Sequence, residues 1–218
     1  MDANDLRRLV ALGEGLHLEF KHRVPRPERI VREVIALANS GGGKVLLGVG
    51  DDGSLVGLKD TEEELFALRD ALDTYCEPPI RLRIEGVRVS RRREVLVIDV
   101  PASADKPHFL VEDPASGNGQ RKAYVRVGHE SVEASREAVS LMRAERRPRD
   151  VRFTFGEEEQ QLMRYLERYE RITVREYARL AALPRWKASR TLVLLAEARV
   201  LRFHPGAGED YFTVAYEA

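Results

Sequence analysis

The sequence predicts an α+β fold in which a larger mixed-sheet domain is followed by a small helix-turn-helix domain. Up to about residue 145, stretches with apolar residues at spacings of three and four are interspersed with stretches in which apolar and polar residues alternate, as helices and strands require. Beyond residue 150, three helix-like stretches come in succession, and two short strand-like stretches follow them. The segment Arg143 to Asp150 is charged, contains Pro148 and has little to bury, so we place the domain limits at 1–147 and 151–218.

Composition and charge exclude several classes of protein. The chain of 218 residues has a formal net charge of zero, so it is not a protein that is basic overall, and any contact with nucleic acid must be local. No apolar run approaches the roughly 20 residues of a membrane span. Residues 1–5 are acidic where a signal peptide would be basic, so we expect a cytoplasmic protein with no membrane partner. The single cysteine, Cys76, excludes an intrachain disulfide and a cysteine-based zinc site.

The first elements are a helix, a strand and a second helix. Leucines at helical spacing predict a helix over residues 4–12. Residues 16–21 alternate between apolar and polar side chains, which predicts a half-buried strand with Glu19 and Lys21 on the same face. Pro27 is typical of the first turn of a helix, and the apolar spacing over residues 30–38 continues that helix.

A glycine-rich segment follows this second helix. It ends the helix and precedes a buried strand over residues 44–49, after which Asp51-Asp52-Gly53 predicts a turn between two strands. Backbone N–H groups of such a segment can also cradle phosphate. The candidate phosphate-binding residues are Asn39, Ser40, Gly41, Gly42 and Gly43. The segment lacks the spacing of a P-loop and its glycines end a helix where a P-loop begins one, so we favour a plain helix-to-strand turn and do not expect ATP hydrolysis.

The rest of the first domain alternates between strands and helices. Thr61, followed by three glutamates, predicts a helix start, and the helix runs toward Pro78. Strands are predicted over residues 80–89 and 94–100. The turn between them carries a basic cluster that either contacts nucleic acid or is merely solvated: Arg91, Arg92 and Arg93. We further predict a loop over 113–120, a strand over 123–128 and a closing helix over 135–145.

The second domain has the element order of a winged helix. Its second and third helices are separated by the short turn Leu183-Pro184-Arg185, and strands are predicted over residues 200–204 and 211–216. The third helix opens with a segment that no acid interrupts, and its candidate DNA-contacting residues are Arg185, Lys187, Ser189 and Arg190. The alternative is a protein-contacting domain, because residues 151–218 hold 11 basic and 10 acidic residues. Trp186 is interpreted as a packing residue at the start of its helix, and a base-stacking platform for single-stranded nucleic acid is the alternative.

With these elements placed, residues 10–145 resemble the Schlafen/AlbA-type domain family, described as DNA-binding or divergent ATP-binding. The resemblance is carried by four ordered motifs, Glu14 through Glu19-Phe20-Lys21, Ala38-Asn39-Ser40-Gly41-Gly42, Gly48-Val49-Gly50-Asp51-Asp52-Gly53 with Gly57, and Tyr124-Val125-Arg126-Val127-Gly128. It implies a Schlafen/AlbA-like mixed-sheet fold. Bacterial members are commonly fused to a carboxy-terminal winged helix and described as transcriptional regulators, which is the arrangement predicted for this chain.

The same resemblance implies a candidate catalytic site. Some animal Schlafen proteins cleave tRNA or rRNA with three carboxylates, and the matching residues are Glu14, Glu19 and Asp51, which would hold Mg or Mn. Lys21 would then stabilise charge on the phosphate. Alternatively, the three acids are solvated strand and turn residues. The chain departs from the family pattern at Gly15, where serine is common. It also has one copy of a domain that the Schlafen nuclease core contains twice, so a complete cleft would require a homodimer.

We therefore predict a nucleic-acid-binding protein that regulates transcription, with DNA favoured over RNA as partner and a homodimer as the assembly. A metal-dependent ribonuclease is the alternative, and a nucleotide-binding or protein-interacting module is a third hypothesis. No cofactor is predicted beyond the Mg or Mn that the ribonuclease would need.

Overall fold

A computed structural model describes residues 1–114, 119–146 and 154–215. The helices within these ranges are α1 (Ala3–Val10), α2 (Pro27–Asn39), α3 (Thr61–Tyr75), α4 (Arg136–Arg146), α5 (Glu157–Tyr169), α6 (Val174–Leu180) and α7 (Arg185–Glu197). The strands are β1 (Leu18–Lys21), β2 (Gly43–Leu47), β3 (Cys76–Glu77), β4 (Arg83–Ser90), β5 (Arg93–Val100), β6 (Phe109–Val111), β7 (Arg121–Lys122), β8 (Tyr124–Val127), β9 (Glu130–Glu133), β10 (Arg171–Ile172), β11 (Leu201–His204) and β12 (Tyr211–Val214). The mixture of helices and strands confirms the predicted α+β class.

The chain forms two compact units, Met1–Glu133 and Ala134–Ala218. The predicted linker lies partly outside the described residues, because residues 147–150 are not described. The same holds for residues 115–118 of the predicted loop and for residue 216 of the last predicted strand. The domain limits 1–147 and 151–218 remain a prediction. Among the described residues, no helix combines the length and apolar character that a membrane crossing requires.

The first unit is built on a four-stranded sheet in the order β1-β2-β5-β4. β1 and β2 are parallel, with α2 connecting them, and the other pairs are antiparallel. Both faces of β2 are covered: Val45 and Leu47 pack with residues of α2 and α3, whereas Leu46 packs on the other side with Leu6 of α1. Burial on both faces explains why β2 reads as a continuous apolar run in the sequence.

Helix α2 lies inside the first unit. It begins at Pro27, as predicted, and its residues from Ile30 to Asn39 are buried except for Arg32. Asn39 at the end of the helix is hydrogen-bonded on both sides of its amide. Its nitrogen donates to the carbonyl oxygens of His108 and Tyr124, and its oxygen accepts from the His108 N–H at 2.8 Å. The buried amide thus joins α2 to β8 and to the start of β6.

The glycines after α2 allow close backbone contacts. Gly42 has a φ of +73°, and a Cβ atom there would lie 2.6 Å from the Ala102 nitrogen. A Cβ atom on Gly43 would lie 2.5 Å from the His17 carbonyl oxygen. These positions require glycine on steric grounds. The segment is therefore the helix-to-strand turn that the sequence favoured.

Two local details differ from the sequence-based expectation. Asp51-Asp52-Gly53 forms a tight turn between the bridged residues Val49 and Leu55, which lie outside the named strands, so it does not join two strands of a hairpin. The cap of α3 is Asp60, whose carboxylate accepts from the backbone of residues 62 and 63, and Thr61 is the first helical residue. An aspartate at this position satisfies two free N–H groups, as the predicted threonine cap would have done.

The second unit contains α4 to α7 and a three-stranded antiparallel sheet in the order β10-β12-β11. Its core includes Tyr177 of α6, Leu192 of α7 and Phe212 of β12, all fully buried. Residues 181–184 join α6 to α7 in a tight turn, closed by a bond from the Leu183 N–H to the Ala178 carbonyl oxygen. The three predicted helices and the terminal strand pair are all present here.

Replacing Gly42 by alanine should lower the free energy of unfolding of the first unit by about 2 kcal/mol, because the new Cβ meets backbone atoms and the positive φ becomes strained. Gly15→Ala is a matched control, since nothing lies within 4 Å of its Cβ position. Its effect should stay within about 0.5 kcal/mol. Urea unfolding followed by circular dichroism measures both, and equal stability of the two variants would contradict the steric explanation.

Candidate nucleic-acid interface

The start of α7 presents an exposed basic and aromatic surface. The helix begins at Arg185, directly after Pro184, and Arg185, Trp186 and Arg190 are exposed. Trp186 is 67% exposed, so the interpretation of this side chain as a packing residue is wrong. The buried face of the helix lies elsewhere on its circumference, at Ala188, Leu192 and Leu195. We call Arg185, Trp186 and Arg190 the α7 surface.

The α7 surface carries uncompensated positive charge. Among the described residues, no acidic side chain pairs with Arg185 or Arg190. The first turn of α7, which is described throughout, contains no acidic residue. The positive end of the helix dipole adds to the charge of the two arginines. This surface is therefore suited to an anion.

The other two predicted contacts on α7 are bonded within the second unit. Lys187 Nζ lies 2.7 Å from Glu158 Oε1 of α5, and the Ser189 hydroxyl donates to Glu137 of α4. The ion pair is partly exposed, and exposed pairs contribute at most about 1 kcal/mol, so Lys187 can exchange its partner for a phosphate. Ser189 is only partly buried, and its hydroxyl is occupied by Glu137.

The three arginines of the predicted cluster in the first unit do not share one environment. Arg91 and Arg92 are exposed at the turn between β4 and β5. Arg93 begins β5, and its guanidinium donates to the Gly57 carbonyl oxygen at 3.0 Å. Two of the three arginines therefore remain available to a partner, and the third fixes the loop that contains Gly57.

The predicted phosphate-binding segment directs its donors into the protein. The N–H groups of Ser40 and Gly42 donate to the Leu37 carbonyl oxygen, and that of Lys44 donates to His17. The Ser40 hydroxyl accepts from the backbone N–H of Arg126, and the Asn39 amide is bonded as described above. These groups hold the end of α2 in place, and the geometry gives no support to phosphate binding here.

A buried ion cluster surrounds Arg126 of β8. Its guanidinium donates to Glu19 of β1 at 2.9 Å, to Glu33 of α2 at 3.1 Å and to the Gly15 carbonyl oxygen at 2.6 Å. Ser131 of β9 bonds both Glu33 and Arg126. Arg126 is 2% exposed and Glu19 is 6% exposed. We call these residues the Arg126 cluster, and its members Glu33 and Arg126 were not predicted as functional from the sequence.

The three predicted carboxylates are divided between two sides of β1. Glu14 and Asp51 line an open cavity of about 540 Å³ together with Asp52 and Arg7, and Glu14 accepts from the Phe20 N–H at 2.8 Å. Bonds from Ser54 hold the pKa of the Asp52 carboxyl below its usual value. Glu19 does not line this cavity. As predicted, its side chain contacts Lys21 on the same strand face.

The donor set does not fit a shared metal ion. One Glu19 oxygen is paired with Lys21 and the other with Arg126. Across residues 1–114, 119–146 and 154–215, no three His, Cys, Asp or Glu side chains lie close enough together to hold a metal. Each oxygen of Glu19 already contacts a cationic side chain, and the positive charges of Lys21 and Arg126 oppose the approach of a further cation.

Comparisons with known proteins identify one family. The family model described as Schlafen, AlbA_2 matches residues 14–135, which is more than half of the chain. The DIP2311 protein of Corynebacterium diphtheriae matches at 20% identity and a TM-score of 0.43, over 62% of this chain and 25% of that one. The N-terminal domain of a RecG-related protein from Nitrosomonas europaea matches at 23% identity and a TM-score of 0.37, over 62% of this chain and 93% of that one. A comparison with curated proteins gave no match.

Glu19→Gln should lower the free energy of unfolding by about 2–3 kcal/mol, because it removes a carboxylate that two cations contact and leaves Arg126 with less compensation. Asp51→Asn, at an exposed position, should change stability by less than about 0.5 kcal/mol. Thermal and urea unfolding measure both variants. Unchanged stability of Glu19→Gln, combined with loss of a metal-dependent cleavage of RNA, would instead favour the ribonuclease.

Proposed function

The chain belongs to the Schlafen, AlbA_2 family, and from this premise we propose that it is a nucleic-acid-binding protein that regulates transcription. It contacts duplex DNA through α7 of the second unit. The observation that carries this proposal is the α7 surface, which combines an exposed tryptophan at the start of a helix with two arginines that pair with no acidic side chain in the part of the chain that the structure describes.

The second unit is proposed to be a winged helix-turn-helix domain. α6, the turn at 181–184 and α7 follow one another in the order of a helix-turn-helix, and the β11–β12 hairpin follows α7 in the position of a wing. In such domains the N-terminal residues of the second helix contact the edges of bases in the major groove. These are the positions that Arg185, Trp186 and Arg190 occupy in α7.

The residue types of the α7 surface suit DNA. Arginine donates two parallel hydrogen bonds to guanine or to a phosphate. Trp186 and Arg190 are four residues apart and so lie on neighbouring turns of the same helix face. An exposed tryptophan there supplies apolar contact area beside the two charges. Lys187 adds a phosphate contact when it leaves Glu158.

The β11–β12 hairpin, which is the proposed wing, is stabilised by contacts of its aromatic rings. The rings of His204 and Tyr211 stack at 4.7 Å, and Arg171 of β10 lies 5.6 Å from the Tyr211 ring. Burial, assisted by the charge of Arg202, lowers the pKa of His204, so this histidine is neutral at pH 7. Exposed Arg202 on β11 is the wing residue best suited to phosphate.

The homodimer expected from the sequence is part of the proposal, because helix-turn-helix proteins commonly bind two half-sites as dimers. Metal-dependent RNA cleavage has no comparable support. Glu19 is neutralised by Lys21 and Arg126, and it lies away from the cavity that Glu14 and Asp51 line. Duplex DNA binding is therefore the function that we favour.

Arg185→Ala/Arg190→Ala should weaken binding to duplex DNA at least tenfold, because each lost arginine contact contributes about 1–3 kcal/mol. The matched control is Arg164→Ala/Arg168→Ala, which removes two exposed arginines from α5 of the same unit. Fluorescence anisotropy of labelled duplexes at several salt concentrations measures both. Affinity equal to that of the unsubstituted protein, or an equal loss in the control, would refute contact through α7.

Binding of unlabelled duplex DNA should also change the emission of Trp186. It is the only tryptophan of the chain and is 67% exposed, so its fluorescence reports directly on the α7 surface. We expect quenching that saturates at the stoichiometry found by anisotropy, since DNA would replace water around the ring. An unchanged emission spectrum at full saturation would contradict the proposed interface.

A further inference from the structure

A second exposed cationic surface lies in the first unit, between β1 and α2. We call residues 22–29 the basic segment. Its exposed basic side chains are His22, Arg23, Arg26 and Arg29. The segment is not among the nucleic-acid contacts predicted from the sequence, although three of its eight residues are arginines.

The backbone of the basic segment is fixed by groups that point inward. The Val24 N–H donates to the Glu64 carboxylate of α3 at 2.6 Å, and the Val24 side chain packs against the core of the first unit. Pro27 begins α2, and Ile30 is fully buried three residues later. The arginines therefore project from a chain whose path is set by the fold, so binding a partner orders little besides their side chains.

The arginines of the basic segment carry charge that the fold does not neutralise. Among the described residues, no acidic side chain pairs with Arg23, Arg26 or Arg29. Glu28 is the one acidic residue within the segment, so residues 22–29 carry a net charge of +2 with His22 neutral. Neighbouring Lys21 differs, because Glu19 neutralises it. Guanidinium groups in water at the surface are available to an anionic partner.

The spacing of the three arginines suits a polyanion with closely repeated charges. The Cα atoms of Arg23 and Arg26 are at most about 10 Å apart. Arg26 is the N-cap residue of α2 and Arg29 lies in its first turn, so their Cβ atoms are about 5–6 Å apart. The backbone positions of the three arginines thus lie within roughly 15 Å of one another, a length over which a strand of duplex DNA, with a phosphate about every 3.4 Å of helix rise, presents several phosphates.

We propose that the basic segment binds the phosphate backbone of duplex DNA, as a sequence-independent contact in addition to α7. This inference rests on the proposed function for its partner and on its own residues for the site. A lipid surface fits less well, because none of the exposed large apolar side chains of the described residues lies in the segment. Contacts of this kind carry no base information, so they add affinity equally for all sequences.

The test is the full chain with Arg23→Ala/Arg26→Ala/Arg29→Ala, titrated with duplex DNA of random sequence over a salt series. Each phosphate contact contributes about 0.9 to the slope of log affinity against log salt concentration. The slope should therefore fall by about 2–3 while discrimination between sequences stays unchanged. The control, Arg69→Ala/Arg81→Ala/Arg83→Ala, removes the same charge from other exposed positions of the unit and should change the slope by less than about 1.

The outcomes separate this proposal from the one for α7. A wild-type slope in the triple variant, or an equal fall in the control, overturns the phosphate contact and leaves α7 untouched. A fall in the triple variant with no effect of Arg185→Ala/Arg190→Ala supports the basic segment and refutes α7. Loss of binding to anionic phospholipid vesicles without any change on DNA also overturns it. If the triple variant does not fold, Arg26→Ala and Arg29→Ala tested singly should each lower the slope by about 0.9.

Discussion

The buried guanidinium of Arg126 is the constraint on which the first unit depends. It contacts the carboxylates of Glu19 and Glu33 and the Gly15 carbonyl oxygen, so β8 is tied to β1, to α2 and to the loop before β1 across more than 90 residues of sequence. A buried charge is tolerated only when partners replace the water that it has lost. Burial of Arg126 therefore requires β1, α2 and β8 to be in place together, and the Arg126 cluster favours this one arrangement of the three elements.

This constraint also decides which residues are available for function. Side chains on β1 point alternately to its two faces, so Glu19 faces Arg126 while Phe20 lies beside the cavity that Glu14 and Asp51 line. Two of the acids that the family resemblance singled out thus remain together, and the third becomes part of the interior. Arginine has two separate uses in this protein: one arginine joins elements in the core, and others remain in water, where an anion can reach them.

The sequence predicts the elements well because their periodicity is local. Pro27 marks the start of α2, and the alternation over residues 16–21 correctly places Glu19 and Lys21 on the same strand face, where the two side chains are in contact. The Arg126 cluster was missed because its pairing joins residues distant in sequence. A signal was nevertheless present in α2, where Glu33 stands among apolar residues, whereas the alternation Val125-Arg126-Val127 predicts that Arg126 faces solvent. A charge at a position whose neighbours predict burial requires a buried partner of opposite sign. For Trp186 the sequence offered no such signal, because aromatic residues at a helix start are as compatible with packing as with exposure.

Although the chain has no net charge, its helices differ in the charge of their first turns. Acidic residues occupy the first turns of α3 and α5, where they compensate the positive end of the helix dipole. α7 departs from this pattern, since Arg185 opens it and its first turn has no acid. α2 departs in part. Arg26 is its N-cap residue, and its first turn contains Arg29 as well as one acidic residue, Glu28. Cations at these ends oppose the dipole and lower local stability slightly, which a bound phosphate would reverse. Residues that lower the stability of the element in which they lie tend to mark functional positions. The two basic surfaces are therefore better explained by an anionic partner than by a contribution to the stability of the fold.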